Sequence, residues 1–428
     1  MQVHLNYGKE KLAVCLADDL AVSVISKRKM PVLQEPITAV EQALKAPIGC
    51  APLHQIARNA KKACILICDI TRPVPNGLIL PPLIRTLLNS GLNSDQIEVI
   101  IATGLHRPNE GAELTEVIGD PWVAETIQVS NHFARDNDAH TYVGTTSQNT
   151  VVKLDRRFIQ ADLRIVIGLV EPHFMAGYSG GRKIVAPGIA HRDTITALHA
   201  ARFMEHPMTT NCILEGNPLH EEQLEIMEMI GEVLALNTVI DEQRLLSYVN
   251  FGDVIQSHLQ AVQYTRGYAE VPIVERFSTI VTSAAGYPLD NTYYQTVKGM
   301  VSPIDILETG GSLIIASACS EGIGSKEYVA AQKRLLSDGS EMFLSNLLKK
   351  NHAAIDEWQT EMQLKPMKHG TVYLYTDGLT DSERQLTGVQ MTNSLENTIV
   401  ESVTRSGDNR VAIIPEGPYV VPRYLPET

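Results

Sequence analysis

Short, unbroken apolar runs recur along the first half of the chain, and each ends in a polar loop. ACILICDI (63–70), IEVIIATG (97–104) and ADLRIVIGL (161–169) are such runs. Apolar stretches of this length, without alternation, predict strands buried on both faces. Between them the pattern changes. TRPVPN carries two prolines that break it, GLILPPLIRTLLNSG reads as a helix ending at Gly91, and NEGAELTEVIG reads as a polar helix. Strands alternating with helices predict βαβ units and a mostly parallel sheet.

Residues 225–270 mix strand and helix patterns (VLALNTVID, LLSYVNF, DVIQSHLQAVQY), and TRGYAEVPIVERF (265–277) reads as a crossover. The alternation then restarts in STIVTSAAG, GSLIIASAC, GTVYLYTDG and NRVAIIPEG, with helical stretches such as KEYVAAQKRLL between them. The expected architecture is α/β, with two domains of mostly parallel sheet. One spans 1–270 and a smaller one spans 271–428, and 428 residues is a length that favours two domains. Ligands in such sheets sit beyond the carboxyl ends of the strands, and domain interfaces are favoured sites. The active site is therefore expected in the cleft between the domains.

Composition changes this picture little: 44% hydrophobic and 20% charged residues are ordinary for a globular chain. Charge changes it more. A net charge of −13 gives no electrostatic footprint for nucleic acid or an anionic membrane, so neither is an expected partner. The start, MQVHLNYGKEKLAV, has no long apolar core of a signal peptide, and no window reaches the ~18 apolar residues of a membrane helix. The expected location is the cytoplasm. The six cysteines form no CxxC pair, and Cys64 and Cys68 read as core thiols on one strand.

The candidate chemistry lies in the loops after the predicted strands. Asp69-Ile-Thr-Arg72, Gly104-Leu-His106-Arg107 and Glu171-Pro-His173 would meet at one edge if their strands are parallel neighbours. His106 and His173 occupy matching positions, each beside a proline-restricted loop, and two histidines flanking a substrate can exchange protons in either direction. Arg72 can clamp a carboxylate with two bonds, while Asp69 can orient a histidine, bind a cofactor hydroxyl or simply pair with Arg72. The segment GYSGGRK (177–183) offers Gly180 and Gly181 for close backbone approach to an anion, but it has neither Walker A nor GxGxxG spacing. Lys183 beside Arg182 is expected to have a lowered pKa, as a covalent lysine requires. His199 reads as lying on a helix that starts near Asp193, on one face with Phe203. It lies roughly 12 Å along that helix from His191, so the two cannot share a metal. Tyr294, Gln295 and Lys298 in NTYYQTVKG fall on one helix face. Trp358, in AIDEWQTEM, reads on pattern alone as a packing residue.

These blocks together resemble one known family. DITRPVPN, ATGLHRP, EPHFMAGYSGGRK, the His199 helix and YYQTVKG are similar to the nickel-dependent lactate racemase family, in an ordered series from Asp69 to Trp358. The resemblance implies an isomerase that inverts C2 of a 2-hydroxy acid, lactate first, with malate and gluconate as alternatives. It implies a nickel-pincer nucleotide (pyridinium-3-thioamide-5-thiocarboxylate mononucleotide) built by cofactor-synthesis proteins that act as transient partners. By match, Lys183 would hold this group covalently and His199 would ligate nickel. His106 and His173 would be the paired acid and base, and Arg72, Gln295 and Lys298 would hold the substrate carboxylate. Asp69, Tyr294 and Trp358 would line the pocket, with Gly180 and Gly181 against the cofactor. The substrate would lose its α-hydrogen as hydride to the cofactor and regain it on the other face. Two other readings stay open: a two-base racemase using an ordinary divalent metal, and a non-catalytic nucleotide or metal carrier.

Overall fold

The structure, a computed structural model, describes residues 1–426. The three apolar runs of the first half form neighbouring strands, Ala63–Cys68, Ile97–Ala102 and Leu163–Leu169, as their lack of alternation predicts. They sit in a six-stranded sheet whose order is Leu246–Asp253, Leu234–Ile240, Leu163–Leu169, Ala63–Cys68, Ile97–Ala102, Gln128–Asn131. Only the pair Leu234–Ile240 and Leu246–Asp253 is antiparallel. Ala63–Cys68 is buried at every position, because helices cover both faces of the sheet.

Chain direction across this sheet reverses at the Ala63–Cys68 strand. The strand that follows it in sequence lies on one side, and Leu163–Leu169 lies on the other. Loops leaving these two strands diverge and open a crevice between them. The second sheet repeats the arrangement. Its six parallel strands run Gln390–Thr392, Thr371–Tyr375, Leu307–Ala316, Phe277–Ser283, Arg410–Ile414, Ala21–Val24. Here the reversal falls between Phe277–Ser283 and Arg410–Ile414, so the loops after those two strands open the second half of the cleft.

Two connections differ from the pattern in the sequence. The strand Ala21–Val24 extends the second sheet by pairing with Arg410–Ile414, so the chain's first residues accompany the C-terminal unit rather than the 1–270 unit. AVSV is short and half exposed, and only backbone pairing at a sheet edge places it there. The predicted crossover at 265–277 begins as the end of the helix Val254–Ala269. It continues as a strand, Glu270–Ile273, paired in parallel with Val421–Tyr424. No helix among the described residues is long and apolar enough to cross a membrane.

Candidate active site

Buried strands hold the polar loops in place, and one cleft gathers Asp69, Arg72, His106, His173, Gly180, Lys183, His199, Tyr294, Gln295, Lys298 and Trp358. Gly181 is not among its lining residues. Its missing side chain faces His258 instead: a Cβ there would lie 2.8 Å from His258 Cγ, at a φ of +49°. The glycine thus serves the turn that aims Lys183. Gly181→Ala is expected to cost about 1–3 kcal/mol through overpacking and backbone strain, read as a lower denaturant midpoint.

The loop after the first strand is organised by Asp69, which is 6% exposed. Its Oδ1 accepts from Thr71 Oγ1 at 2.6 Å, and its Oδ2 holds His106 Nδ1 at 2.6 Å. Asp69 is therefore the histidine-orienting carboxylate among the three roles open to it. Burial pushes its pKa up, but His106, Thr71 and Arg72 outweigh burial and hold the carboxyl below the usual range. The Asp69 charge in turn raises His106 against the opposing effect of burial. Arg72 does not make its ion pair with Asp69. Its guanidinium bonds Glu171, ninety-nine residues away, at the end of the neighbouring strand.

His173 has the opposite environment. Burial, then the charges of Lys183, Arg72 and Lys298, push its pKa well below the ordinary histidine value. The amides of Met175 and Ala176 donate to its Nδ1 at 3.3 and 3.2 Å, leaving Nε2 as the other ring nitrogen. The two histidines are thus driven apart, His106 towards its cationic form and His173 towards its neutral one. Paired groups with pKa values driven apart are the pattern of an acid and its base.

Lys183 is pushed down to about 7 by burial first and then by Arg72, Lys298 and Arg182. Lys298 is pushed down to about 8, mainly by burial and Arg72. Lys298 lies on the helix Tyr293–Val301, which Thr292 caps, one turn from Tyr294 and Gln295 as the spacing predicts. Gln295 Oε1 is buried with no hydrogen-bond partner. An orphaned polar atom facing a cleft is a position for a ligand group.

His199 is not inside a continuous helix with Phe203. The helix Arg192–Leu198 ends at His199, Ala200 is extended, and a separate turn Ala201–Met204 follows. The break accompanies a bond from His199 Nδ1 to the Ile195 carbonyl at 2.8 Å. That bond fixes the hydrogen on Nδ1 and leaves Nε2 as a neutral donor, which is how a metal-binding histidine is oriented. Burial, against the Ile195 carbonyl and with the help of the Lys183 charge, pushes its pKa to about 4, which keeps that lone pair free. Its ring packs on Trp358 with centroids 4.4 Å apart, and Trp358 Nε1 donates to Tyr294 Oη at 3.2 Å. Trp358 is therefore both a packing residue and part of the cleft wall.

The donor set fits a metal that arrives inside an organic group. Among the described residues no three His, Cys, Asp or Glu side chains come together as a ligand set. His199 offers one nitrogen, and the near-neutral Lys183 amine offers a nucleophile to tether such a group. Sequence reasoning missed Glu171 as the Arg72 partner and, among other lining residues, Asp356, Asn211 and Tyr419. Glu171 had a signal, since it ends a predicted strand beside His173. Asp356 lies at a left-handed turn, φ 63°, and Tyr419 follows the last strand of the second sheet, where local pattern carries no mark of a cleft.

Comparison with known proteins gives the family and the fold. Residues 7–211 match the family described as lactate racemase N-terminal domain, and residues 274–421 match lactate racemase C-terminal domain. A lactate racemase of Thermoanaerobacterium thermosaccharolyticum is 29% identical, covering 98% of this chain and 99% of that one. A lactate racemase of Lactiplantibacillus plantarum is 28% identical over 88% of this chain and 89% of its own. Among solved structures, the lactate racemase apoprotein from T. thermosaccharolyticum superposes with a TM-score of 0.91. That match has 27% identity and covers 99% of this chain and 100% of that chain.

Proposed function

The chain belongs to the lactate racemase family, and from that premise we propose that it inverts C2 of a 2-hydroxy acid, with lactate as the substrate. The observation that carries the proposal is the convergence of His106, His173, Lys183 and His199 in one cleft. The carboxylate would be held by Lys298, Gln295 and Arg72. Arg72 arrives already paired with Glu171, so the substrate carboxylate would share or displace that partner.

We propose that Lys183 tethers a nickel-pincer nucleotide and that His199 gives nickel its protein ligand. When bound, that group supplies the electrophile that accepts the α-hydrogen with its electron pair. The protein supplies the proton transfers. A hydroxyl proton needs a lone pair, which His106 offers at Nε2 once deprotonated, with Asp69 holding its Nδ1–H. His173 offers one at Nε2 when its hydrogen sits on Nδ1. In the structure Nδ1 accepts from two backbone amides, so this role requires the ring hydrogen to move from Nε2 to Nδ1 and both contacts to be given up. Each histidine then serves one face of the substrate, as inversion requires. Cofactor-making proteins would be transient partners, and malate or gluconate are the alternative substrates.

The test is turnover of one lactate enantiomer in D2O by protein made alongside the cofactor-synthesis enzymes. The expected product keeps its α-¹H. Deuterium at that carbon would replace the hydride route with two-base proton abstraction, and nickel-loaded protein without turnover on any of these acids would favour the carrier reading.

A further inference from the structure

The pair Arg72–Glu171 stands at a wall between two cavities. One is the cleft already described. The other, of about 380 Å³, shares Glu171, Pro172 and Tyr419 with it, whereas Arg72 lines the cleft alone. The Glu171 carboxylate has one partner: its Oε1 accepts from Arg72 Nη1, and neither side chain has another hydrogen bond or ion pair among the described residues. That is a single bond, not the two-pronged fork that holds an arginine and a carboxylate most firmly. The Glu171 backbone is pinned. Its amide donates to Ser179 Oγ at 3.1 Å, and its carbonyl accepts from the Ser179 amide at 2.9 Å. Movement is therefore left to the side chain, and the second cavity gives it room.

We infer that Glu171 is a built-in competitor for the substrate: its carboxylate occupies Arg72 in the empty cleft and swings into the second cavity when the carboxylate of a 2-hydroxy acid takes its place.

Charge favours an exchange of this kind. Arg72, Lys183 and Lys298 line one cleft, and cations buried together repel unless an anion sits among them. Burial disfavours the Arg72 and Lys298 charges, and Glu171 is the foremost anion opposing it at each. The substrate carboxylate brings the same charge, so one anion replaces another and the buried charge is conserved. Were both to stay, a second carboxylate would be buried beside Arg72. The second cavity can take the displaced group. Of the acids lining it, Asp241 is engaged by the amides of Gln243 and Leu245, and Glu242 by Lys27. Two acids, Glu10 and Glu416, are left with two cations, Lys9 and Arg244. A neutral analogue such as lactamide brings no charge and cannot make the exchange.

The inference rests on Arg72 as a holder of the substrate carboxylate, and its test needs no turnover. Lactate is titrated calorimetrically into full-length apoprotein made without the cofactor-synthesis proteins, for the parent, Glu171→Gln and Arg72→Met. Glu171→Gln keeps the shape and loses the charge. It should bind lactate roughly tenfold more tightly than the parent, since one charged hydrogen bond no longer has to be broken. Arg72→Met should bind more weakly than the parent. A gain in affinity is a result that general loosening of the cleft does not produce. Glu171→Ala removes the same charge and decides the matter if the glutamine variant fails to fold. Equal or weaker binding by the Glu171 variants, with binding lost in Arg72→Met, overturns the competitor and leaves Arg72 in its role. Arg72→Met indistinguishable from the parent overturns both. Lactamide should gain nothing from Glu171→Gln, and an equal gain for lactamide also overturns the exchange.

Discussion

Replacing His106 or His173 with alanine is expected to lower kcat about 10²- to 10⁴-fold for both enantiomers, the range for removing one positioned acid–base group. Loading is expected to continue, because neither side chain is the proposed tether or the proposed metal ligand. Nickel content near that of the parent, with kcat lost, is the expected pair of results. Full activity in both variants would remove the proton-transfer assignment. The two histidines also predict different pH behaviour. Asp69 raises His106, so its protonated form persists to higher pH than it would without that charge. In Asp69→Asn that charge is gone, and the His106 pKa falls. Wherever protonated His106 is the required acid, the alkaline limb of kcat/KM moves to lower pH in the variant. An alkaline limb that stays in place would mean that Asp69 supports something other than His106.

Much of this arrangement was legible in the chain, and the reason is local. A strand buried on both faces needs a continuous apolar run, and the loop after it is then defined by sequence position alone. Asp69, His106 and His173 could be placed at one edge for that reason. The Tyr294, Gln295 and Lys298 face followed from helical spacing. Glu171 and Arg72 were each visible, but their pairing depends on which strands are neighbours, and sequence spacing does not encode that. The break at His199 was hidden for another reason. The sequence DTITALHAARF has uniform helix-like periodicity, and the ring's bond to the Ile195 carbonyl is a tertiary choice at one residue. Ala21–Val24 joined the second sheet through backbone bonds, which leave no pattern in side chains.

Lys183→Arg is expected to abolish covalent loading entirely: an intact mass with no adduct and nickel at background. The substitution keeps a cation in the loop but removes the nucleophile, since a guanidinium does not deprotonate in the working range. The charge environment suits a lysine to the proposed role. A lysine at its ordinary pKa is almost wholly protonated at neutral pH, whereas one lowered to about 7 is half free amine. That difference raises the reactive fraction about 10³-fold. It arises first from burial and next from Arg72 and Lys298, so the cations proposed to hold the carboxylate would also activate the proposed tether. Acetylation of the apoprotein by a small amine-reactive ester, mapped by peptide mass across pH, reads this directly. Lys183 should label with a midpoint near pH 7, while surface lysines label in the ordinary alkaline range. Lys298→Met removes one of the depressing charges, so the Lys183 midpoint should move to higher pH. The midpoint rather than the rate is the measure, because restricted access slows labelling at every pH equally. A Lys183 midpoint matching the surface lysines would separate the tether from the electrostatics of the cleft, and loading would then depend on the synthesis proteins to activate the amine.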